Sequence, residues 1–353
     1  VARSKKVSQT QLAHELGISQ ALVSLVLNGR RQGISPESYE RIWAHAVKRG
    51  YRPKGMEMAS SPSAQPRQVG FILRAPLRLS SPSNYFGHVA QGLHSGLSAR
   101  GFATVYLGAE DTLDREQLRQ HFQAGHLFQG VVLLGEVSRA FLAELREVER
   151  RIVAVSARYA GLCHSVVGNE PQALDALVRH LHALGHRRIG WLGGNVGLGR
   201  HEARLTALKA ALQEVDLALD PRFCISLQQA DRAEGAEAAH AMMLHAKRKD
   251  FPTAFVSYNS LMAMGAIRAW EREGWAVPAD VSVASADGSP AATSERPHVT
   301  AAGSSPAKLG EAAGRLILES TGGPDETFTD LMISAQLMVG DTTAGLSAAS
   351  QRA

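Results

Sequence analysis

Cysteine is scarce: Cys163 and Cys224 are the only two in 353 residues. Two thiols make neither a disulfide framework nor a thiolate zinc site, which excludes secreted disulfide scaffolds and zinc fingers and agrees with a reducing compartment. No apolar run approaches the roughly 18 residues that a bilayer span needs, so no membrane partner is expected. The first ten residues, VARSKKVSQT, are basic and polar, unlike a secretory signal. Apolar residues make up 44% and charged residues 20%, an ordinary globular balance. The expectation is a cytoplasmic chain of two or three domains.

The net charge of +5 is unevenly placed. Residues 1–54 hold ten Lys/Arg against three Asp/Glu, a net +7, whereas the remaining 299 residues carry −2. A compact basic module on a near-neutral body is the electrostatic outline of a nucleic-acid binder, because phosphate neutralisation dominates affinity. A solvated basic arm would have the same charge, so periodicity must decide. Thr10 to Leu16 reads as a short helix with Leu12, Ala13 and Leu16 on one face. Gly17-Ile18 makes a tight turn, and Ser19 caps a second helix reaching Asn28, with Val23, Val26 and Leu27 inward. Ser35-Pro36 opens a third helix to Arg49, with Tyr39, Ile42, Trp43, Ala46 and Val47 inward and Gly50 as its stop. This is an all-α helix-turn-helix head.

The run from Gln11 to Pro53 resembles the DNA-binding domain of the LacI/GalR (lactose-repressor-type) regulators. The shared marks are Ala-x3-Gly-Ile-Ser, Val23-Ser24, Val26-Leu27-Asn28-Gly29, Ile34-Ser35 and Gly50-Tyr51-x-Pro53. The resemblance implies that the second helix enters the major groove of operator DNA, with Gln20, Ala21, Ser24 and Leu25 toward base edges and Ser19, Asn28 and Tyr51 at the interface. Arg30 and Arg31 would contact phosphate, positioning the head without reading sequence. The family usually has Arg at Leu25 and Thr at Leu22. Losing that Arg removes a bidentate guanine contact. Leu25 and Ala21 either touch thymine methyls instead, or Leu25 packs against the neighbouring helix.

KGMEMASSPSAQPR (54–67) is rich in Ser, Pro and small residues, the composition of a linker. The family implies a hinge helix there that forms on DNA and wedges a leucine into the minor groove. That position is Ser60 here, and Gly55 and Glu57 suit a DNA-facing helix poorly. Either Met56 or Met58 supplies the apolar wedge, or this hinge does not wedge.

From Gln68 onward, apolar strand-like runs alternate with helical stretches. The strands read VGFILR, FATVYLG, GVVLLG, RIVAVSA, SVVGN, RIGWLGG, FCISL, TAFVSY and VSVASAD. The helices read Phe86–Arg100, Pro171–Leu184, His201–Glu214, Glu234–Lys247 and Leu261–Glu273. This alternation predicts an α/β body of parallel sheets. Nine or more strands in about 270 residues divide best into two lobes, with a ligand cleft at the strands' carboxyl ends. HLHALGHRRIGWLGG (180–194), SYNSLMAMGAIRAW (257–270), VSVASADGSP (281–290) and Leu309-Gly310-x-Ala312-Ala313 continue the family resemblance, which implies a two-lobed periplasmic-binding-protein-like core. The expected plan is 1–54 head, 55–67 hinge, 68–345 core and 346–353 tail. Lobe 1 would take 68–165 plus 305–328, and lobe 2 would take 166–304 plus 329–345.

The resemblance also implies effector contacts. Arg204, Asn259 and Asp287 fall on the family's Arg-Leu, Asn-Asp and Phe-Asp-Asp positions, and offer the donor fork, amide and carboxylate that a polyhydroxylated ligand requires. Tyr85 and Phe86 occupy an aromatic pair that lines the pocket or packs in the core. Asn169 stands at an Asp position within reach of a hydroxyl. Ala230 replaces a stacking aromatic and Ser304 a glutamine, so the pocket differs from the familiar sugar repressors.

No catalytic set, metal site or cofactor is expected. GGNVGLG (193–199) lacks the Gly-x-Gly-x-x-Gly spacing of a dinucleotide loop and more simply lets backbone approach a ligand or the other lobe. His182 and His186 are four apart, but Gly185 ends the helix between them. The function expected is a homodimeric transcriptional regulator, a repressor by preference, with a carbohydrate effector in the cleft. A purine-type effector, or a sugar-modifying enzyme fused to the head, is the alternative. The carboxyl end has no leucine heptads for a tetramerising coil.

Overall fold

A computed structural model of the chain describes residues 8–27, 34–49, 67–75, 77, 85–123, 128–245 and 250–346. It divides into two units, Val1–Ala64 and Gln65–Ala353.

The first unit holds α1 (Gln9–Leu16), α2 (Gln20–Leu27) and α3 (Pro36–Lys48). Each helix start has a serine whose hydroxyl takes an orphan amide: Ser8 from Gln11 at 3.1 Å, Ser19 from Leu22 at 3.2 Å and Ser35 from Ser38 at 3.2 Å. Gly17 ends α1 in the left-handed region, at φ 66°, where an L side chain would be strained. Leu12, Ala13, Val23, Val26, Ile42 and Ala46 form the core. Glu15 ties α1 to α3, receiving Arg49 Nη2 at 2.6 Å and Arg49 Nε and His45 Nε2 at 2.9 Å. Arg49 and His45 hold the Glu15 carboxyl down to about 2. One of the ten amino-terminal bases is thereby engaged within the head.

The second unit contains two six-stranded sheets. The first comprises β1 (Gln68–Leu73), β2 (Ala103–Ala109), β3 (Phe128–Leu134), β4 (Ile152–Val155), β5 (His164–Gly168) and β11 (Asp330–Ile333). Its order is β11-β5-β4-β3-β1-β2, and every pairing is parallel. The second comprises β6 (Ile189–Gly193), β7 (Cys224–Ser226), β8 (Ala254–Ser257), β9 (Ser282–Ser285), β10 (Thr300–Gly303) and β12 (Gln336–Met338). Its order is β12-β10-β9-β8-β6-β7, parallel except for β12 against β10. Runs such as VVLL in β3 and IVAV in β4 are apolar throughout because helices cover both faces of a parallel sheet. The first sheet carries α4 (Tyr85–Ser98), α5 (Arg115–Gln123), α6 (Arg139–Val148) and α11 (Pro306–Glu319). The second carries α7 (Glu170–Ala183), α8 (Gly199–Gln213), α9 (Arg232–Met243) and α10 (Ser260–Arg272). Apolar clusters line both faces of each sheet. Among the described residues, no helix is long and apolar enough to cross a membrane.

The chain passes between the sheets three times, at 168–170, 303–306 and 333–336. The expected lobe limits are corrected accordingly. Strand β5 runs to Gly168, and β11, which was assigned to the second lobe, pairs with β5 in the first. The crossovers are stitched together. The Asn169 amide donates to Ile333 O at 3.0 Å and to Ser304 Oγ at 3.1 Å, and Ser304 Oγ donates to Ile333 O at 2.6 Å. Buried Ser304 is therefore spent on the crossover and not on a ligand.

Candidate functional site

At the carboxyl end of a strand, side chains are released from the sheet and face whatever lies beyond it. In this core those ends converge on one cavity of about 290 Å³, lined from both lobes. From the first lobe come Arg74 after β1, Gly135 and Glu136 after β3, Ser156 after β4, and Tyr85 and Phe86 at the start of α4. From the second come Asn195 after β6, Gln229 to Asp231 after β7, Tyr258 and Asn259 after β8, Asp287 after β9, and Arg200 and Arg204 in the first turns of α8.

The cavity brings Arg204, Asn259, Asp287, Tyr85 and Phe86 together. It leaves out Asn169, correcting the expected hydroxyl contact: that side chain accepts the Gln172 amide at 3.1 Å and caps α7. Asn259 is the N-cap of α10, with Oδ1 accepting from Met262 at 2.9 Å and Nδ2 donating to Ala230 O at 2.8 Å. Asp287 is pinned by the amide and hydroxyl of Ser289 at 3.0 and 2.8 Å. Both side chains are fixed before any ligand arrives, which lowers the ordering cost of binding.

The strongest electrostatic feature is a carboxylate that the sequence reading passed over. Buried Glu170, the first residue of α7, receives Arg200 Nε at 2.9 Å and Arg204 Nε at 3.0 Å. Burial raises its carboxyl, but the Arg204 and Arg200 charges outweigh that and hold it below the usual carboxylate range. Arg204 also donates to Tyr258 O and lies over the Tyr258 ring at 4.6 Å. Arg200 lies over the Tyr85 ring, again at 4.6 Å, and Tyr85 Oη meets Ser156 Oγ at 3.1 Å. Guanidinium groups placed over rings and oriented by a shared carboxylate make a rigid donor surface.

Arg200, Glu170, Arg74 and Glu136 were all missed. Arg200 was the most legible, because residues four apart on a helix share a face and Arg204 was already assigned. Arg74 and Glu136 close the apolar runs VGFILR and GVVLLGE, a charged residue following a buried parallel strand. Glu170 gave no local signal, since an acid in the first turn of a helix has an ordinary dipole reason.

Of the expected DNA contacts, Ser19, Gln20, Ala21, Ser24 and Leu25 are described. Ser19 caps α2; Gln20 and Ala21 are exposed, and Leu25 is 39% exposed and outside the head core. Asn28, Arg30, Arg31, Tyr51, Met56 and Met58 lie outside the described residues. His186 meets Thr253 Oγ1 at 2.9 Å and Ala344 O at 3.1 Å, and burial pushes its pKa down to about 4. The glycine loop does approach the other lobe, as Asn195 Oδ1 accepts from Arg74 at 3.4 Å.

Two parallel sheets facing a polar cavity across three crossovers define a ligand-receptor core of the periplasmic-binding type. Residues 178–343 match a family described as a periplasmic binding protein-like domain. The chain is 28% identical over 271 residues to the maltose regulon regulatory protein MalI of Escherichia coli (strain K12), covering 75% of each chain. It is 25% identical over 319 residues to the transcriptional repressor PurR of Yersinia enterocolitica, covering 87% of this chain and 88% of that one. Among solved structures, a transcriptional regulator CelR–cellobiose complex aligns with a TM-score of 0.66 at 22% identity, over 96% of this chain and all of that one. These similarities agree with the resemblance to the LacI/GalR-type transcriptional regulators read from the sequence. Both of those relatives are named as transcriptional regulators.

Proposed function

We propose that the chain is a cytoplasmic, homodimeric operator-binding repressor whose affinity for DNA is set by a small polyhydroxylated effector held in the cavity between the lobes. Residues 1–54 read the operator, with α2 in the major groove and Gln20, Ala21, Ser24 and Leu25 toward the bases. The observation that carries the effector reading is the set of preoriented donors and acceptors, Arg200, Arg204, Asn259 and Asp287, that the second lobe presents to the cavity. A ligand that prefers one lobe arrangement shifts the population of operator-competent heads by its differential affinity. The Tyr85–Phe86 pair, with ring centroids 5.1 Å apart, favours a flat purine-type ligand as the second reading.

The test joins two measurements. Thermal unfolding of the full chain against a panel of sugars and nucleobases reports binding by mass action. Deleting residues 1–54 should abolish duplex binding and keep that ligand shift. Unchanged DNA affinity after deletion, or no duplex binding by the intact chain at low salt, rejects the reading.

A further inference from the structure

Helix α8 carries both cavity arginines, yet its N-cap residue, Leu198, has no side-chain oxygen to satisfy the first amides. The oxygen comes from the opposite lobe. Glu136, immediately after β3, crosses the cleft, and its Oε2 accepts the Gly199 amide at 2.7 Å. An ionised carboxylate at a helix start gains both the hydrogen bond and the attraction of the helix dipole. Around it the lobes also touch through Arg74 to Asn195 at 3.4 Å and Arg200 over the Tyr85 ring at 4.6 Å.

Gly135 makes this reach available. Its φ of 96° is a glycine conformation, and a Cβ there would stand 2.7 Å from Arg74 Cδ and 3.1 Å from Phe86 Cζ. The chain turns sharply at the end of β3 and directs Glu136 at α8, while Arg74 and Phe86 close in over the turn. A Cβ at residue 199 would meet Glu136 Oε2 at 3.3 Å, a tight approach that a glycine relieves.

We infer that Glu136 is a positioning residue that caps α8 from across the cleft, so that the chain's own carboxylate holds the lobes closed and sets Arg200 and Arg204 before an effector binds. The inference rests on the reading of the cavity as an effector site for its consequence, though not for its test. Closure is then partly prepaid by the protein, and an effector acts on a population already biased toward the closed form. A substitution at Glu136 shifts that bias while the pairings of Glu170 with Arg200 and Arg204 remain available.

Hydrogen–deuterium exchange on the full ligand-free chain separates a lobe latch from a local cap. In Glu136→Ala, amides of α8's first turn should exchange faster, and so should cleft-facing segments of both lobes around Tyr85, Ser156 and Tyr258. The expected change is roughly five-fold, the usual loss of one helix cap. Strands β3 and β8 should keep their protection, which shows that the variant is folded. Glu136→Gln, which keeps an acceptor but loses the charge, should fall between wild type and Glu136→Ala. Faster exchange confined to residues 199–202, or no change at all, would overturn the inference. Loss of DNA binding or of ligand response in other experiments would leave this outcome intact, so the two readings fail separately.

Discussion

Arg204 and Glu170 face each other in the core of the second lobe, Nε to Oε2 at 3.0 Å, with the arginine side chain 2% exposed. Arg200 takes the other carboxylate oxygen, so one acid orients two cations that line the cavity. Removing the acid strands both buried charges. Glu170→Ala should therefore destabilise the core by about 3–5 kcal/mol, the usual result of breaking a buried pair from one side. Urea unfolding of wild type and variant measures this. A loss under 1 kcal/mol would mean that water or other acceptors replace the carboxylate.

Asp287→Ala should keep DNA binding but weaken binding of the ligand that the thermal panel identifies, with some loss of stability because the buried Ser289 amide and hydroxyl lose their acceptor. The missing charged hydrogen bonds are worth about 1.5–3 kcal/mol, roughly 10- to 150-fold in affinity. Calorimetric titration with that ligand decides. Retained affinity in both Asp287→Ala and Arg200→Ala places the pocket elsewhere.

The head should be acid-sensitive through Glu15. Arg49 and His45 depress this carboxyl to about 2, below its ordinary 4.5. A depressed acid contributes stability that is complete above the ordinary value and lost as pH falls toward the folded one. Amide exchange in α1 and α3 should thus quicken between about pH 4.5 and 2, and Glu15→Gln should flatten that part of the profile. An unaltered profile in the variant would assign the acid sensitivity to other groups.

Helices α4 and α11 cross at glycines. A Cβ on Gly92 would lie 2.0 Å from Ala307 O, and one on Gly310 would lie 2.0 Å from Val89 O. Both obstacles are backbone, so the helices must separate to admit a methyl group. Gly310→Ala should cost about 1–3 kcal/mol, as overpacking does, despite the higher helix propensity of alanine. Thermal unfolding that rises instead would show that this crossing is loose.

At the proposed DNA face, exposed Leu25 has no polar atom to read guanine. In duplexes selected from random sequence, the base pair opposite Leu25 should be T·A. Replacing that thymine with uracil removes only the methyl and should weaken binding severalfold. Leu25→Arg should move the preference toward guanine. Indifference to the methyl in wild type would mean that Leu25 does not contact the bases.

How much was legible follows from the range of the forces involved. Strands β1 to β9 were visible because buried parallel strands are continuous apolar runs, and Ser19, Gly17 and Ser35-Pro36 bound the head helices by local chemistry. Strands β10, β11 and β12 escaped notice. TAAG, DLMI and QLM are three or four residues long, and two of them are edge strands with exposed positions. Missing β11 misplaced the lobe boundary, because its partner β5 lies more than 150 residues earlier.

The amino-acid sequence by itself determined the two-part plan, the charge asymmetry and the alternating body, since each follows from composition or from spacing within a few residues, whereas Arg204, Asn259 and Asp287 were reached only through the family resemblance. Only the tertiary structure decided that Glu170 binds two arginines, that Asn169 faces a crossover, and that Glu136 caps a helix of the other lobe. Those pairings join residues 30 to 135 positions apart. Their energies depend on distance and burial in space, quantities that folding creates and a linear order of residues does not contain.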